Sequence, residues 1–115
     1  PQLEIACLVT GFPYRWATIE TDPIPVFERF VRLGLPVRRL GSAAIDLCWV
    51  AAGRFDGFWE YNLNPWDIAA GYLIVEEAGG RISNFKGEPY SVYDKETLAT
   101  NGKIHEEMLK LIAKG

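Results

Sequence analysis

The sequence predicts a single α/β domain in which helices are layered against a mostly parallel sheet. Apolar runs typical of buried strands alternate along most of the chain with segments of helical periodicity. Glycine and proline residues separate these segments, as they commonly do at element boundaries. The chain has 115 residues, 49% of them hydrophobic and 23% charged, which suits one domain with a core and is too short for two.

The first half of the chain predicts two strands and two helices. The run "LEIACLVT", residues 3–10, predicts a buried strand. Residues 24–34 place apolar side chains at three- and four-residue spacing and end at Gly34, which predicts an amphipathic helix. A short strand at "PVRRL" leads into "GSAAIDLCWVAAGR", where Ser42 suits the N-cap of a helix and Gly53 suits its C-terminal end.

The second half predicts three strands and two helices. The aromatic run "FDGFWEYN" predicts a strand, in which Gly57 indicates a bulge or a close backbone contact. A helix is predicted from Pro65 to Ala78, and its apolar residues cover most of its circumference, so we expect it to be largely buried, with Gly71 allowing a close neighbour. Short strands follow at "RISNF" and "TLATN", separated by a polar turn, and "KIHEEMLKLIAKG" predicts a terminal amphipathic helix.

Composition excludes several classes of protein. A net charge of -3 and a pI near 5.1 argue against direct binding of nucleic acid, which requires a concentrated basic face. No apolar run reaches the roughly 18 residues that span a bilayer. Cys7 and Cys48 lie in apolar settings without the spacing of metal ligands, so we expect reduced, buried thiols in a cytoplasmic protein.

Two junctions between a strand and a helix carry the candidate site residues. Gly41, Ser42 and Ala43 precede the second helix, whose free N–H groups favour an anion or a hydroxyl-rich ligand. Asp67 lies in the first turn of the third helix, and Glu60 lies seven residues earlier. Two such carboxylates suit Mg²⁺, or a division between metal and substrate hydroxyls. Ordinary helix capping explains both junctions as an alternative.

Two further polar residues are predicted to have no role at a site. His105 is the only histidine, and we expect it to be exposed on the terminal helix, so the chain offers no histidine-based nucleophilic triad. Asp46 is predicted to be a polar edge position of its helix rather than a ligand.

Residues 38–80, "RRLGSAAIDLCWVAAGRFDGFWEYNLNPWDIAAGYLIVEEAGG", resemble the C-terminal half of the inositol monophosphatase family, and its bacterial members above all. The W-D-x-A-A-G core and the I-V-x-E-A-G-G tail match the second signature of that family. "LVTGFPYR" and "LATNGKIHEEML" also resemble family segments, so the resemblance covers essentially the whole chain. It implies an α/β layered domain over residues 1–115, the C-terminal part of the inositol monophosphatase / fructose-1,6-bisphosphatase-like sugar phosphatase fold.

The resemblance also implies roles for the candidate residues. Asp67 would be a catalytic residue that coordinates Mg²⁺ and approaches the substrate. Gly41, Ser42 and Ala43 would contact the hydroxyls of the inositol ring, and Glu60 would accept hydrogen bonds from them. The implied reaction is Mg²⁺-dependent hydrolysis of inositol monophosphates, such as myo-inositol 1-phosphate, to myo-inositol and phosphate.

The first signature of the family, of the type D-P-x-D-G-T, does not occur in this sequence, nor does the acidic pair that precedes it. These motifs supply most of the metal ligands and the phosphate site. We therefore expect the chain to be the C-terminal part of a phosphatase whose N-terminal half is absent, and to be inactive by itself. The family further implies a homodimer.

Two other functions compete with this one. Fructose 1,6-bisphosphatases and phosphatases of 3′-phosphoadenosine nucleotides share the metal scaffold, although Glu60 favours the inositol branch because a carboxylate suits a polyol. Some bacterial members of the family resemble regulators that bind the transcription machinery, so a non-catalytic interaction module is the alternative from a different class.

Overall fold

A computed structural model describes residues 7–10, 24–38, 43–61, 65–91 and 96–113, without the side chains of residues 44, 45 and 65–67. The elements within these ranges alternate as predicted: β1 (Leu8–Thr10), α1 (Ile24–Arg32), β2 (Val37–Arg38), α2 (Ala43–Ala51), β3 (Gly57–Tyr61), α3 (Pro65–Glu77), β4 (Arg81–Ser83), β5 (Glu96–Thr100) and α4 (His105–Ala113). Each element lies within the segment that predicted it, except β5, which begins one residue before "TLATN" at Glu96. The predicted α/β class is therefore confirmed.

The described strands form one sheet in the order β2-β1-β3-β5-β4. β1 is parallel to both β2 and β3, whereas β5 is antiparallel to both β3 and β4. The prediction of a mostly parallel sheet is wrong for this second half. The segment after β4 turns at Asn84, whose side-chain oxygen accepts hydrogen bonds from the N–H groups of Lys86 and Glu88. Since a turn rather than a helical crossover follows β4, the chain returns antiparallel to it.

Helices cover both faces of the sheet, and each face has its own core. On the α1/α4 face the buried side chains are those of Leu8, Val26, Phe30, Leu35, Trp59, Tyr61, Phe85, Leu98, Ile104, Met108 and Ile112. On the α2/α3 face they are those of Val9, Leu47, Val50, Phe55, Phe58, Ile68, Val75, Ile82 and Ala99. Neighbouring residues of β3 and β5 alternate between the two cores, as the pleat of a strand requires.

Two glycines allow elements to pack closely. A Cβ atom added at Gly71 of α3 would lie 2.7 Å from Cδ1 of Leu47, which confirms the predicted close approach of a neighbouring helix. A Cβ atom added at Gly57 of β3 would lie 2.7 Å from Sδ of Met108 on α4. Gly57 keeps its regular pairing with Leu8 and Thr100, so the close contact, and not a bulge, explains this glycine.

Two predictions of burial are wrong. In α3, Ile68, Gly71 and Val75 are buried, but Leu73 and Ile74 are 51% and 46% exposed. An apolar circumference does not bury a helix that packs against neighbours on one side only. The thiol residues differ from expectation in the same way, since Cys48 is exposed and Cys7 is half-buried, both of them free. In the parts of the chain that the structure describes, no helix is long and apolar enough to cross a bilayer.

Candidate functional site

The topology brings the two predicted junctions to one edge of the sheet. Because β2, β1 and β3 are parallel neighbours, their carboxyl ends lie along the same edge, with β2 and β3 about 10 Å apart. α2 begins at Ala43, soon after β2 ends at Arg38, and α3 begins at Pro65, soon after β3 ends at Tyr61. At about 3.5 Å of reach per residue, neither helix start can lie more than about 18 Å from the end of its strand. Ligands of α/β proteins commonly bind at such an edge.

Glu60 is the candidate residue whose surroundings are best defined. It lies next to the carboxyl end of β3 and is only 8% exposed. Strand alternation places it on the same face as Phe58, the α2/α3 face. Thr97 of β5 is its cross-strand partner, and the Thr97 hydroxyl is 2.9 Å from the hydroxyl of Tyr90. A buried carboxylate with hydroxyl groups beside it is suited to binding a hydroxyl-rich ligand.

The structure places the other predicted residues only in part. Ala43 is the first residue of α2 and is half-buried, so its backbone belongs to the N-terminal turn of that helix. Asp67 is in the first turn of α3, as predicted, but its side chain lies outside the described residues. Gly41 and Ser42 also lie outside them. Their roles remain predictions.

Asp46 is not the polar edge position that the sequence predicted. Its side chain is 1% exposed, and its Oδ1 atom is buried without a hydrogen-bond partner. Asp46 lies three residues after Ala43 and four residues before Val50, and this helical spacing places its side chain on the face of α2 that packs against the sheet. Burial raises the pKa of the Asp46 carboxyl from 3.8 to about 6, because desolvation disfavours its charged form.

We expect Asp46→Asn to stabilise the fold near neutral pH. The pKa of Asp46 is higher in the folded chain than in the unfolded chain, so its ionisation destabilises the fold above about pH 6, and this cost disappears as the pH falls toward 4. Chemical unfolding should therefore show that the substitution raises the free energy of unfolding by about 1 to 3 kcal/mol at about pH 8 and hardly changes it at about pH 4. Glu107→Gln, on the exposed side of α4, is the matched control. An equal increase in the free energy of unfolding at both pH values would exclude the charge of Asp46 as its cause.

His105 is also placed differently from its prediction. It is 1% exposed, with Nε2 2.7 Å from Oγ of Ser83 and Nδ1 2.9 Å from Oγ1 of Thr100. Both ring nitrogens thus have a partner, which allows a neutral imidazole to be buried at the start of α4. Burial, reinforced by the positive charge of Arg81, lowers the pKa of His105 from 6.5 to about 4.

Mg²⁺ requires several oxygen ligands, usually carboxylates together with water and substrate phosphate. Among the residues that the structure describes, no three His, Cys, Asp or Glu side chains come close enough to hold a metal ion. The described side chains therefore do not form a complete magnesium site, although the edge near Glu60 has the oxygen chemistry that such a site uses. Any such site would need ligands beyond these side chains.

A family model for the inositol monophosphatase family matches residues 1–114. The chain belongs to the inositol monophosphatase family. This confirms the family that the W-D-x-A-A-G segment predicted. Among curated members, the inositol-1-monophosphatase of Synechocystis sp. is 48% identical over 96% of this chain and 39% of its own length. The chloroplastic phosphatase IMPL1 of Arabidopsis thaliana is 45% identical over 96% of this chain and 30% of its own length.

Other members of the family carry a different name. The putative Nus factor SuhB of Neisseria meningitidis serogroup B is 44% identical over 93% of this chain and 41% of its own length. Among solved structures, the inositol monophosphatase of Anabaena (Nostoc) sp. PCC 7120 superposes with a TM-score of 0.91 at 39% identity, covering 96% of this chain and 44% of that one. The fold is therefore that of the inositol monophosphatase family, and the chain spans less than half the length of these relatives.

Three residues near the site were missed or misjudged from the sequence. Asp46 was visible as the one acid on the inward face of α2, three residues after Ala43 and four before Val50. A helical projection centred on those apolar neighbours would have indicated its burial. Thr97 and Tyr90 left no comparable signal, because their place beside Glu60 depends on the pairing of β3 with β5.

Proposed function

We propose that this chain is the C-terminal part of an Mg²⁺-dependent phosphatase that hydrolyses inositol monophosphates. The observation that carries the proposal is the buried Glu60 carboxylate, at the sheet edge where the starts of α2 and α3 are also found. Membership of the family and the similarity to proteins named inositol-1-monophosphatase support it.

In this proposal each part of the edge contacts a different group of the substrate. Glu60 accepts hydrogen bonds from ring hydroxyls, and backbone groups at Gly41, Ser42 and Ala43 contact the same ring. Asp67 contributes one ligand to Mg²⁺, which when bound would polarise the phosphate and stabilise the leaving oxygen. The remaining ligands and the phosphate site belong to the part of the protein that lies outside this chain.

Glu60→Gln tests the role of the buried carboxylate in the complete protein. The substitution keeps the shape of the side chain but removes its charge, so each ring hydroxyl loses a charge-assisted acceptor. We expect KM for myo-inositol 1-phosphate to rise about tenfold, with a smaller change in kcat, since such a bond contributes about 1.5 kcal/mol. Steady-state measurement of phosphate release provides both constants.

Glu96→Gln is the matched control for this experiment. Glu96 lies on the neighbouring strand opposite Tyr61, whose side chain belongs to the α1/α4 core, so it is on the other face of the sheet. We expect its kinetic constants to match those of the unaltered protein. Comparable rates on fructose 1,6-bisphosphate or a 3′-phosphoadenosine nucleotide, with no effect of Glu60→Gln on KM, would reject the inositol assignment.

A second candidate function comes from the relatives named Nus factor SuhB. A protein of this kind would bind a protein partner of the transcription machinery, a role that the net charge of -3 does not oppose. The two functions can be separated in the complete protein, because Asp67→Asn should greatly lower the rate of phosphate release while leaving capture of such a partner intact. A cytoplasmic location and a homodimeric state are part of the phosphatase proposal.

A further inference from the structure

A chain of four hydrogen bonds passes through the buried side chain of His105. The Gly102 N–H donates to Oγ1 of Thr100 at 2.9 Å, and Oγ1 of Thr100 is 2.9 Å from Nδ1 of His105. Nε2 of His105 is 2.7 Å from Oγ of Ser83, and that hydroxyl donates to the carbonyl of Asn84 at 2.7 Å. These four hydrogen bonds therefore connect β4, β5 and the start of α4.

The partners of the Ser83 hydroxyl indicate one tautomer of the imidazole. This hydroxyl has a single proton, and with that proton on the Asn84 carbonyl, Ser83 accepts from an Nε2–H group of His105. Nδ1 is then the acceptor of the Thr100 hydroxyl proton. A proton added to Nδ1 would turn this nitrogen into a donor, so the Thr100 hydroxyl, which already accepts from the Gly102 N–H, would have to turn its own proton away from the ring and accept a second time.

The charged groups around His105 act in opposite directions. Arg81 of β4 disfavours an imidazolium, whereas Glu106 of α4 favours it. These two residues are paired with each other at 2.6 Å, which reduces the effect of both. β5 presents the uncharged Thr100 to the ring, and the α1 residue Arg29 bonds the carbonyls of Leu111 and Ile112 at the other end of α4. Within this part of the chain, burial is therefore the main obstacle to a charged ring.

We propose that His105 is an acid-operated latch, in which proton uptake at Nδ1 ends the donation from Thr100, places a positive charge in the buried network and so releases α4 from the β4–β5 side of the sheet before the rest of the fold opens. α4 buries Met108 and Ile112 against the α1/α4 core, but its first turn is joined to the strands through the His105 network. Reversal of one bond in such a network, together with a buried charge, affects its other members. The latch does not depend on the proposed phosphatase activity.

The sign of the pH dependence follows from the two states of the imidazole. The pKa of His105 is about 4 in the closed chain and 6.5 when the ring is free, so protons bind more readily once α4 has opened. The equilibrium constant for opening of α4 therefore does not change with pH above 6.5. Below pH 6.5 it rises by about tenfold for each pH unit, until about pH 4. The total increase is about 300-fold over this range.

Amide hydrogen exchange on the 115-residue chain can detect this opening, with each rate corrected for its intrinsic pH dependence. We expect protection of the α4 amides to fall about tenfold per pH unit below 6.5, while protection of the β3 amides falls much less. The Asp46→Asn background removes a second buried group that titrates in this range. Equal loss of protection in α4 and β3 at every pH would overturn the latch, because it would indicate global unfolding.

Thr100→Val removes the donor to Nδ1 with little change in shape. We expect α4 protection to be lower already at neutral pH, because the first turn of α4 loses a bond to β5, while its pH dependence stays near about tenfold per unit, because burial still lowers the pKa of His105. Thr97→Val is the matched control, since Thr97 is also buried in β5 but bonds Tyr90 and should leave α4 protection at neutral pH unchanged. Equal α4 protection in both variants at neutral pH would contradict the proposal.

Nitrogen NMR of the unaltered chain shows which ring nitrogen of His105 carries the proton, and it does not depend on whether Thr100→Val folds. At neutral pH, Nε2 of His105 should carry the proton and Nδ1 should not. Protonation of Nδ1 should accompany the loss of α4 protection. An Nδ1–H tautomer at neutral pH would overturn the latch directly.

Discussion

The 115-residue chain alone is expected to release no detectable phosphate from myo-inositol 1-phosphate, whatever the Mg²⁺ concentration. A magnesium site needs several oxygen ligands, and no cluster of three candidate ligands occurs among the residues that the structure describes. The chain also spans only 39% of the length of the Synechocystis relative. Activity should appear when the rest of a family-length protein is supplied, either as a fused chain or as a separate one.

A colorimetric phosphate assay on the purified chain, with and without the rest of the protein, measures this difference. Circular dichroism of the chain alone is the necessary control, because an unfolded chain would also be inactive. A folded chain that hydrolyses the substrate unaided would contradict the proposed division of the site.

Asp67→Asn in the complete protein is expected to lower kcat on the order of 10³-fold, which corresponds to about 4 kcal/mol of transition-state stabilisation. In the proposed function, Asp67 is a charged metal ligand, and an amide supplies a neutral and weaker oxygen. The Mg²⁺ concentration needed for half-maximal activity should also rise. The position of Asp67 in the first turn of α3 agrees with such a role but also suits a helix cap, so kinetics must decide between them.

The matched control for Asp67→Asn is Glu77→Gln, which removes one carboxylate charge from the exposed C-terminal turn of the same helix. We expect it to leave kcat and the Mg²⁺ requirement unchanged. If Asp67→Asn lowered the melting temperature but kept a normal kcat, Asp67 would be a helix cap and not a metal ligand. Measuring stability alongside activity therefore distinguishes the two roles.

Local sequence signals located the elements well. Gly34 and Gly53 marked the ends of α1 and α2, and Pro65 marked the start of α3. These residues constrain their own backbone, so their effect is visible without knowledge of the tertiary structure. The W-D-x-A-A-G segment then indicated the family, and through it the candidate residues Glu60 and Asp67.

What the sequence did not predict depends on partners far along the chain. His105 was expected to be exposed because histidine on a terminal helix usually is, yet Ser83 and Thr100 satisfy both of its nitrogens. Asp46 was expected at an edge, but α2 turns it toward the sheet. The antiparallel half of the sheet was missed because strand direction depends on the connection after β4. Burial of a polar side chain is a property of the packed fold, and local patterns carry little information about it.

The strand order has a consequence for how the protein is made. Among the described strands β5 follows β3 and β4 in the chain, yet it lies between them in the sheet, and β3 and β4 do not pair with each other. A nascent chain on the ribosome that has not reached residue 96 therefore has a β3 edge with free N–H and C=O groups. Such an edge is a template for pairing with other chains. Until β5 has been synthesised, this β3 edge can pair with other chains, and cover by a chaperone or by the ribosome itself would prevent such pairing.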